Sequence, residues 1–374
     1  MNNLTALVVD DTIVYRKIVG DILKKIPGIE VVGTANNGKI ALSKIKTLQP
    51  DLITLDIEMP EMTGIEVLQQ LQGRTTAPKV IMVSTLTRDG SEMTIKALEL
   101  GAFDFIPKPE EGTMAQNLAR VKEALTPIIT TIKSQKDIAR NIRGKITHRQ
   151  ALRSQTRRTR TAPELQPRSE SATYAPARRR IRSTSEIVGI GISTGGPNAL
   201  TKMVPMLPAD FKAPILIVQH MPPMFTASLA NSLNNKSPLT VKEAQDGDIL
   251  AAGTVYIAPG GKQMKIVAGS DGISRKIKIT DDPPENSCKP SVDYLFRSIA
   301  QYYVGRSTAV IMTGMGSDGS KGLIRIKENG GIIIAQDEAS CTVFGMPKQP
   351  IETGLADVIA PLNMIAGEIV KTVI

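Results

Sequence analysis

The strongest constraint on this chain is a rhythm. Short runs of β-branched and apolar residues recur at intervals that leave room for a helix between them, and a long basic stretch interrupts the pattern once. In residues 1–125 the runs are LTALVVD, IEVVGTA, DLITLD, KVIMVS and FDFIP; from Thr184 onward they are EIVGIGIS, APILIVQH, GTVYIAP, STAVIMTG and GGIIIAQD. Continuous apolar runs, rather than alternating ones, belong to strands buried on both faces, as in parallel sheets. Right-handed crossovers then put helices on both sides. Each block is therefore expected to be α/β, a doubly wound and mainly parallel sheet, and 374 residues give room for two such domains. Between Val241 and Asp281 the chain is richer in Gly and polar residues, and an antiparallel hairpin beside the second sheet is expected there.

The interruption carries the charge. Residues 131–182 hold 15 of the 46 Lys and Arg but only 3 of the 36 Asp and Glu, so the net charge of +10 belongs to this segment and the remainder is slightly acidic. Such a composition cannot repay its ordering entropy by burial and reads as a solvated linker. The expected organisation is a domain over 1–125, a basic flexible linker over 126–183 and a domain over 184–374. Aromatics are 3 % of residues with no Trp, which argues against nucleic-acid binding by stacked side chains. No uncharged apolar run approaches the roughly 18 residues of a membrane span, and no positive segment precedes the first strand, so a cytoplasmic protein without membrane insertion is expected. Cys288 and Cys341 lack the spacing of a disulfide framework or a metal site, fit a reducing compartment, and read as small buried apolar residues.

Ligands of open α/β sheets bind beyond the carboxyl ends of the strands. In the first block those ends carry Asp10 and Asp11, Asp56, Ser84 and Lys108. A lone Asp at a strand end is most simply a helix cap, but five such residues at four strand ends make a site. Three clustered carboxylates repel unless a hard cation such as Mg²⁺ binds them, and that cation would screen an incoming phosphoryl group. Asp56 would then attack as a nucleophile, with Lys108 pairing the phosphate and Ser84 hydrogen-bonding it. Residues 4–125, with VVDD, LDIEMP, MVS and KP, resemble a response-regulator receiver domain of flavodoxin-like fold. That resemblance implies phosphorylation of Asp56 by a histidine kinase, Mg²⁺ held by Asp10, Asp11 and Asp56, and a cis Lys108–Pro109 bond.

In the second block, Gly191-Ile-Ser193-Thr-Gly195 fits G-x-S-x-G, a strand-to-helix turn that exposes a serine hydroxyl. A dinucleotide loop is the lesser reading, because the third glycine is missing and the next strand ends in Gln219-His220 rather than an acid. A serine nucleophile needs a base, and of two histidines His148 lies in the basic segment while His220 ends an apolar run. Asp318, after STAVIMTG, is the best candidate to orient His220; Asp337 competes as a strand-end residue, and Asp246, Asp248 and Asp293 fall in loops or helix starts.

IGISTGGP, VQHMPPMFTASLA, KPSVDYLFRSIA and MTGMGSDG, in that order behind a receiver, resemble the chemotaxis response-regulator protein-glutamate methylesterase family. The resemblance implies a serine hydrolase with Ser193 as nucleophile, His220 as base and Asp318 as its orienter, and backbone N–H groups of Met315 and Thr194 at the oxyanion. It implies methyl-ester hydrolysis on chemoreceptor glutamates without a cofactor for that step, deamidation of receptor glutamine, and a receiver that covers the active site until phosphorylated. The competing class is a receiver-controlled DNA-binding transcriptional regulator, which the basic segment favours and the strand-rich output block opposes, so no specific nucleic-acid partner is expected. The basic segment reads as a tether, or as a stretch attracted to acidic receptor tails or an anionic membrane surface.

Overall fold

The computed structural model describes residues 3–74, 77–109, 112–155 and 184–373. One unit is formed by Met1–Leu125 together with Ser183–Ile374, and Thr126–Arg182 form another.

The first block runs β1 (Leu4–Val9), α1 (Ile13–Lys25), β2 (Ile29–Ala35), α2 (Gly38–Leu48), β3 (Leu52–Asp56), α3 (Gly64–Leu71), β4 (Lys79–Ser84), α4 (Arg88–Glu99), β5 (Asp104–Pro107) and α5 (Met114–Gln155). All five apolar runs are strands. Their sheet has the order β2-β1-β3-β4-β5, and every pair is parallel. β3 is buried along its whole length, as expected of a central strand covered on both faces. Asn37, Thr63 and Thr87 cap α2, α3 and α4 by accepting the N–H of Ile40, Glu66 and Gly90, which fixes where each helix leaves the strand ends. Lys108–Pro109 is not cis; among the described residues the cis bond is Lys289–Pro290. An X–Pro bond prefers trans by only about 0.5–1 kcal/mol, so surroundings decide each case.

α5 corrects the reading of the basic segment. It extends over 42 residues through Gln155, where composition suggests a coil. Val121, Leu125, Ile128, Ile129 and Ile132 recur at helical spacing and are buried, and Lys, Arg, Gln and Ala are good helix formers that a charge count overlooks. The rest of the expected linker, 156–183, lies outside the described residues.

The second block runs β6 (Ile187–Ile192), α6 (Gly196–Met203), β7 (Ile215–Gln219), α7 (Phe225–Asn234), β8 (Thr240–Glu243), β9 (Thr254–Ile257), β10 (Gln263–Ala268), β11 (Arg275–Thr280), α8 (Val292–Tyr302), β12 (Ser307–Ile311), α9 (Ser320–Glu328), β13 (Ile332–Gln336), α10 (Lys348–Glu352), β14 (Val358–Ala360) and α11 (Leu362–Val373). Seven strands form a parallel sheet in the order β14-β13-β12-β6-β7-β9-β8. The expected hairpin is β10–β11, antiparallel and outside that sheet. Val241, at the start of the stretch expected to hold the hairpin, joins the main sheet in β8. No helix among the described residues is long and apolar enough to cross a membrane.

The two sheets meet through helices. α4 packs on α6 and α7, the rings of Phe105 and Phe225 stack with centroids 4.5 Å apart, and Glu99 accepts the Ser232 hydroxyl at 2.5 Å while pairing with Lys236.

Candidate functional sites

The first site is a cleft of about 240 Å³ at the carboxyl end of the first sheet, lined by Asp11, Asp56, Ser84 and Lys108 among others. Lys108 reaches in from the end of β5, its Nζ lying 2.6 Å from Asp56 Oδ2 and 3.0 Å from Asp10 Oδ2. Burial pushes the Asp56 carboxyl up, the Lys108 ammonium pulls it back, and the result is a pKa of about 6. For Lys108, burial opposes the charged form, but Asp56 and Asp10 outweigh it and raise its pKa. One oxygen from each of Asp10, Asp11 and Asp56 lies within 4.8 Å of the others. That hard all-oxygen donor set suits Mg²⁺. Ser84 lines the cleft, yet its hydroxyl faces the start of α4, donating to Gly90 O at 3.1 Å and accepting from Thr94 Oγ1 at 2.7 Å.

The second site sits at the ends of β12, β6 and β7, which are neighbours in the sheet. Ser193 follows β6 and is half-buried. Its N–H donates to Thr313 O at 3.0 Å, and Gly314 approaches so closely that a Cβ there would lie 2.8 Å from Ser193 Cβ. His220 follows β7, with its N–H on Ile192 O and its Nε2 2.8 Å from Asp318 Oδ2. Among the described residues no hydrogen bond joins Ser193 Oγ to His220. Catalytic hydrogen bonds are often long without substrate.

Asp318 is buried against the start of α8. Its Oδ1 accepts Ser291 Oγ, Asn286 Nδ2 and the N–H groups of Asp293 and Gly319, and its Oδ2 accepts Val292 N–H at 2.7 Å. Burial alone would raise its pKa, but the His220 ring and these donors hold it down at about 2. The reverse holds for His220: burial disfavours the charged ring, while hydrogen bonds with Asp318 and Cys288 outweigh it, giving about 9. Asp337, the competing candidate, is bonded to Ser340 instead, accepting its N–H and hydroxyl at 3.0 and 2.6 Å.

Thr194 is buried and directly follows Ser193; Met315 is half-buried and directly follows Gly314. The Asp104 carboxyl from β5 interacts with the Thr194 side chain, and burial pushes its pKa up to about 6. The first block therefore reaches Thr194, the residue next to Ser193.

Two neighbours of the site carry no signal that sequence motifs single out. Gln219 is buried, and its Nε2 donates to Ser193 O at 3.1 Å and His220 O at 3.2 Å. Both partners are carbonyls, so the amide orientation is fixed. A Cβ on Gly196 would lie 1.9 Å from Gln219 Oε1, which explains the glycine there. Cys288, expected to be an inert buried residue, is half-buried with Sγ 3.7 Å from His220 Nδ1.

Fold and site together describe a response regulator whose output is a serine-hydrolase-like α/β module. The CheB methylesterase family pattern matches residues 188–369, and the response regulator receiver pattern matches 6–138. Over 381 aligned positions covering the whole chain and 99 % of the relative, it is 57 % identical to a protein-glutamate methylesterase/protein-glutamine glutaminase of Desulfotalea psychrophila. The Bacillus subtilis protein of that description is 44 % identical over 99 % of this chain and 98 % of its own. The crystal structure of the Thermotoga maritima CheB methylesterase catalytic domain is 44 % identical, with a TM-score of 0.49 over 50 % of this chain and 99 % of that one. This chain belongs to the CheB protein-glutamate methylesterase/protein-glutamine glutaminase family. The alternative of a DNA-binding output is set aside, since the output block is matched by the methylesterase pattern.

Proposed function

We propose that this chain acts in the cytoplasm on chemoreceptors, hydrolysing glutamyl methyl esters to glutamate and methanol and deamidating glutamine, under control of phosphorylation at Asp56. The observation that carries the chemistry is the 2.8 Å His220–Asp318 bond at the strand end beside Ser193. Asp318 holds Nε2, so Nδ1, in the deprotonated ring, is the nitrogen left to act as base. Ser193 Oγ attacks the ester carbonyl as Nδ1 takes its proton, and the oxyanion is received by the N–H groups of Thr194 and Met315. Methanol leaves with the proton from Nδ1. Water then enters by the same route, its proton going to the ring, and the acyl-enzyme releases glutamate and regenerates the Ser193 hydroxyl. For glutamine the leaving group is ammonia.

Phosphorylation is proposed at Asp56 with a histidine kinase as phosphodonor. Asp10, Asp11 and Asp56 would hold Mg²⁺, which would supply charge neutralisation for the transferred group. Lys108 pairs with the phosphoryl oxygens and Ser84 turns its hydroxyl from Gly90 O toward them. This releases a tie on α4, the helix packed against α6 and α7, and loosens the cover over Thr194. Residues 1–125 act as the regulatory domain and 184–374 as the catalytic one. Methanol release from methylated receptor membranes tests the chemistry: wild type should release it in the presence of a phosphodonor, and Ser193→Ala should not. Equal release by the variant would exclude Ser193 as the nucleophile.

A further inference from the structure

The thiol beside His220 has no part in the reaction above, yet it stands on the ring nitrogen that reaction uses. Cys288 comes from the loop before α8, and its Sγ lies 3.7 Å from His220 Nδ1 and 3.4 Å from the carbonyl of Asn286. On the opposite side of the ring, Nε2 is held by the buried Asp318 carboxylate at 2.8 Å. A histidine that ligates a metal typically gives its other ring N–H to a carboxylate in just this way, which fixes the tautomer and leaves the free lone pair on the ligating nitrogen.

Dimensions agree with that arrangement. Zn–S bonds near 2.3 Å and Zn–N bonds of 2.0–2.1 Å put the two ligand atoms of a tetrahedral site about 3.5 Å apart. The observed separation of 3.7 Å needs almost no adjustment. Thiolate and imidazole together select borderline and soft ions over Mg²⁺ or Ca²⁺. Both residues are partly exposed, so an ion can enter and complete its shell with water.

We infer that Cys288 Sγ and His220 Nδ1 form a binding site for Zn²⁺ or a similar thiophilic divalent cation, and that its occupation shuts the esterase by removing the lone pair that accepts the Ser193 proton. The inhibitory consequence rests on His220 being the base; the site itself does not. Mg²⁺, required in the cleft around Asp56, would not compete for it, because its all-oxygen preference excludes the thiolate.

The test uses the full chain, kept active with phosphodonor and excess Mg²⁺, titrated with buffered Zn²⁺ while methanol release is followed. Wild type should be inhibited. Cys288→Ser, referred to its own metal-free rate, should need about tenfold or more Zn²⁺ for the same fractional inhibition. Cys341→Ser, which alters the other thiol, should behave as wild type. Binding is read separately with Co²⁺, whose thiolate charge-transfer band in the near ultraviolet should appear in wild type and in Ser193→Ala and be absent in Cys288→Ser. Equal Zn²⁺ sensitivity of wild type and Cys288→Ser, no Co²⁺ band in wild type, or a Co²⁺ band that survives loss of Cys288 would each overturn the proposal. A Co²⁺ band present without inhibition would keep the site and remove the claim that it blocks the base. Full methanol release by Ser193→Ala would count against the nucleophile assignment alone.

Discussion

The hydroxyls of Ser91 and Ser228 lie 2.6 Å apart, both buried, joining α4 of the regulatory sheet to α7 of the catalytic one. The residue before Ser91 is Gly90, whose carbonyl accepts the Ser84 hydroxyl from the phosphorylation cleft. A contact across the two blocks is thus one peptide away from a group the phosphoryl oxygens would recruit.

Loss of that contact should weaken the closed arrangement. A buried neutral hydrogen bond contributes about 0.5–1.5 kcal/mol net, so Ser228→Ala should raise unphosphorylated methanol release by about two- to tenfold and leave the phosphorylated rate near wild type. An unchanged ratio of the two rates would show that this pair does not hold the cover.

Acidity should tune the cover through Asp104. In this structure burial pushes its carboxyl up to about 6, and on opening it should return toward the ordinary Asp value of about 3.9. The closed form therefore binds the proton more tightly, and closure is strengthened as pH falls from about 6 toward about 4 and weakened as pH rises through that window. The ratio of unphosphorylated to phosphorylated activity, in which the titration of the catalytic groups largely cancels, should climb with pH across this range. In Asp104→Asn the climb should flatten; an identical profile would remove Asp104 from the argument.

Asp318 has two tasks, so its replacement should have two signatures. Asp318→Asn should lower kcat by about 10⁴, as expected when the histidine loses its orienting carboxylate. It should also lower thermal stability, because an amide cannot accept all the donors gathered at the start of α8. A large loss of kcat with an unchanged melting temperature would mean that those hydrogen bonds contribute little.

Gln219 ties the backbone of Ser193 to that of His220 with one amide. Gln219→Met keeps the volume and removes both bonds. We expect kcat to fall by about ten- to a hundredfold with KM little changed, since a small misplacement of reacting groups is costly. A change confined to KM would assign Gln219 to substrate binding instead.

Much of the fold and of both sites is legible in the amino-acid sequence. Buried parallel strands announce themselves as apolar runs, and strand ends in such folds collect the chemistry, so Asp10, Asp56, Lys108, Ser193, His220 and Asp318 can be placed from their positions after those runs. Short edge strands are less visible: Val358–Ala360 is three residues long, and Thr240–Glu243 has a single apolar residue. Charge density hides the helix through Gln155, because net charge reports solvation rather than backbone propensity. Cys288 is illegible because its position depends on a loop folding back over His220 from 68 residues away in sequence. Ser91, Ser228 and Glu99 look like ordinary surface residues, and only the meeting of two helices gives them a partner.

The central claim is that phosphate on Asp56 opens a Ser-His-Asp esterase. It is tested most directly by methanol release from methylated receptor membranes, comparing wild type with Asp56→Asn, each with Mg²⁺ and with or without a small-molecule phosphodonor. The account predicts a strong rise for wild type and none for Asp56→Asn. An equal rise in both proteins, or the same rate in wild type with and without phosphodonor, would contradict it.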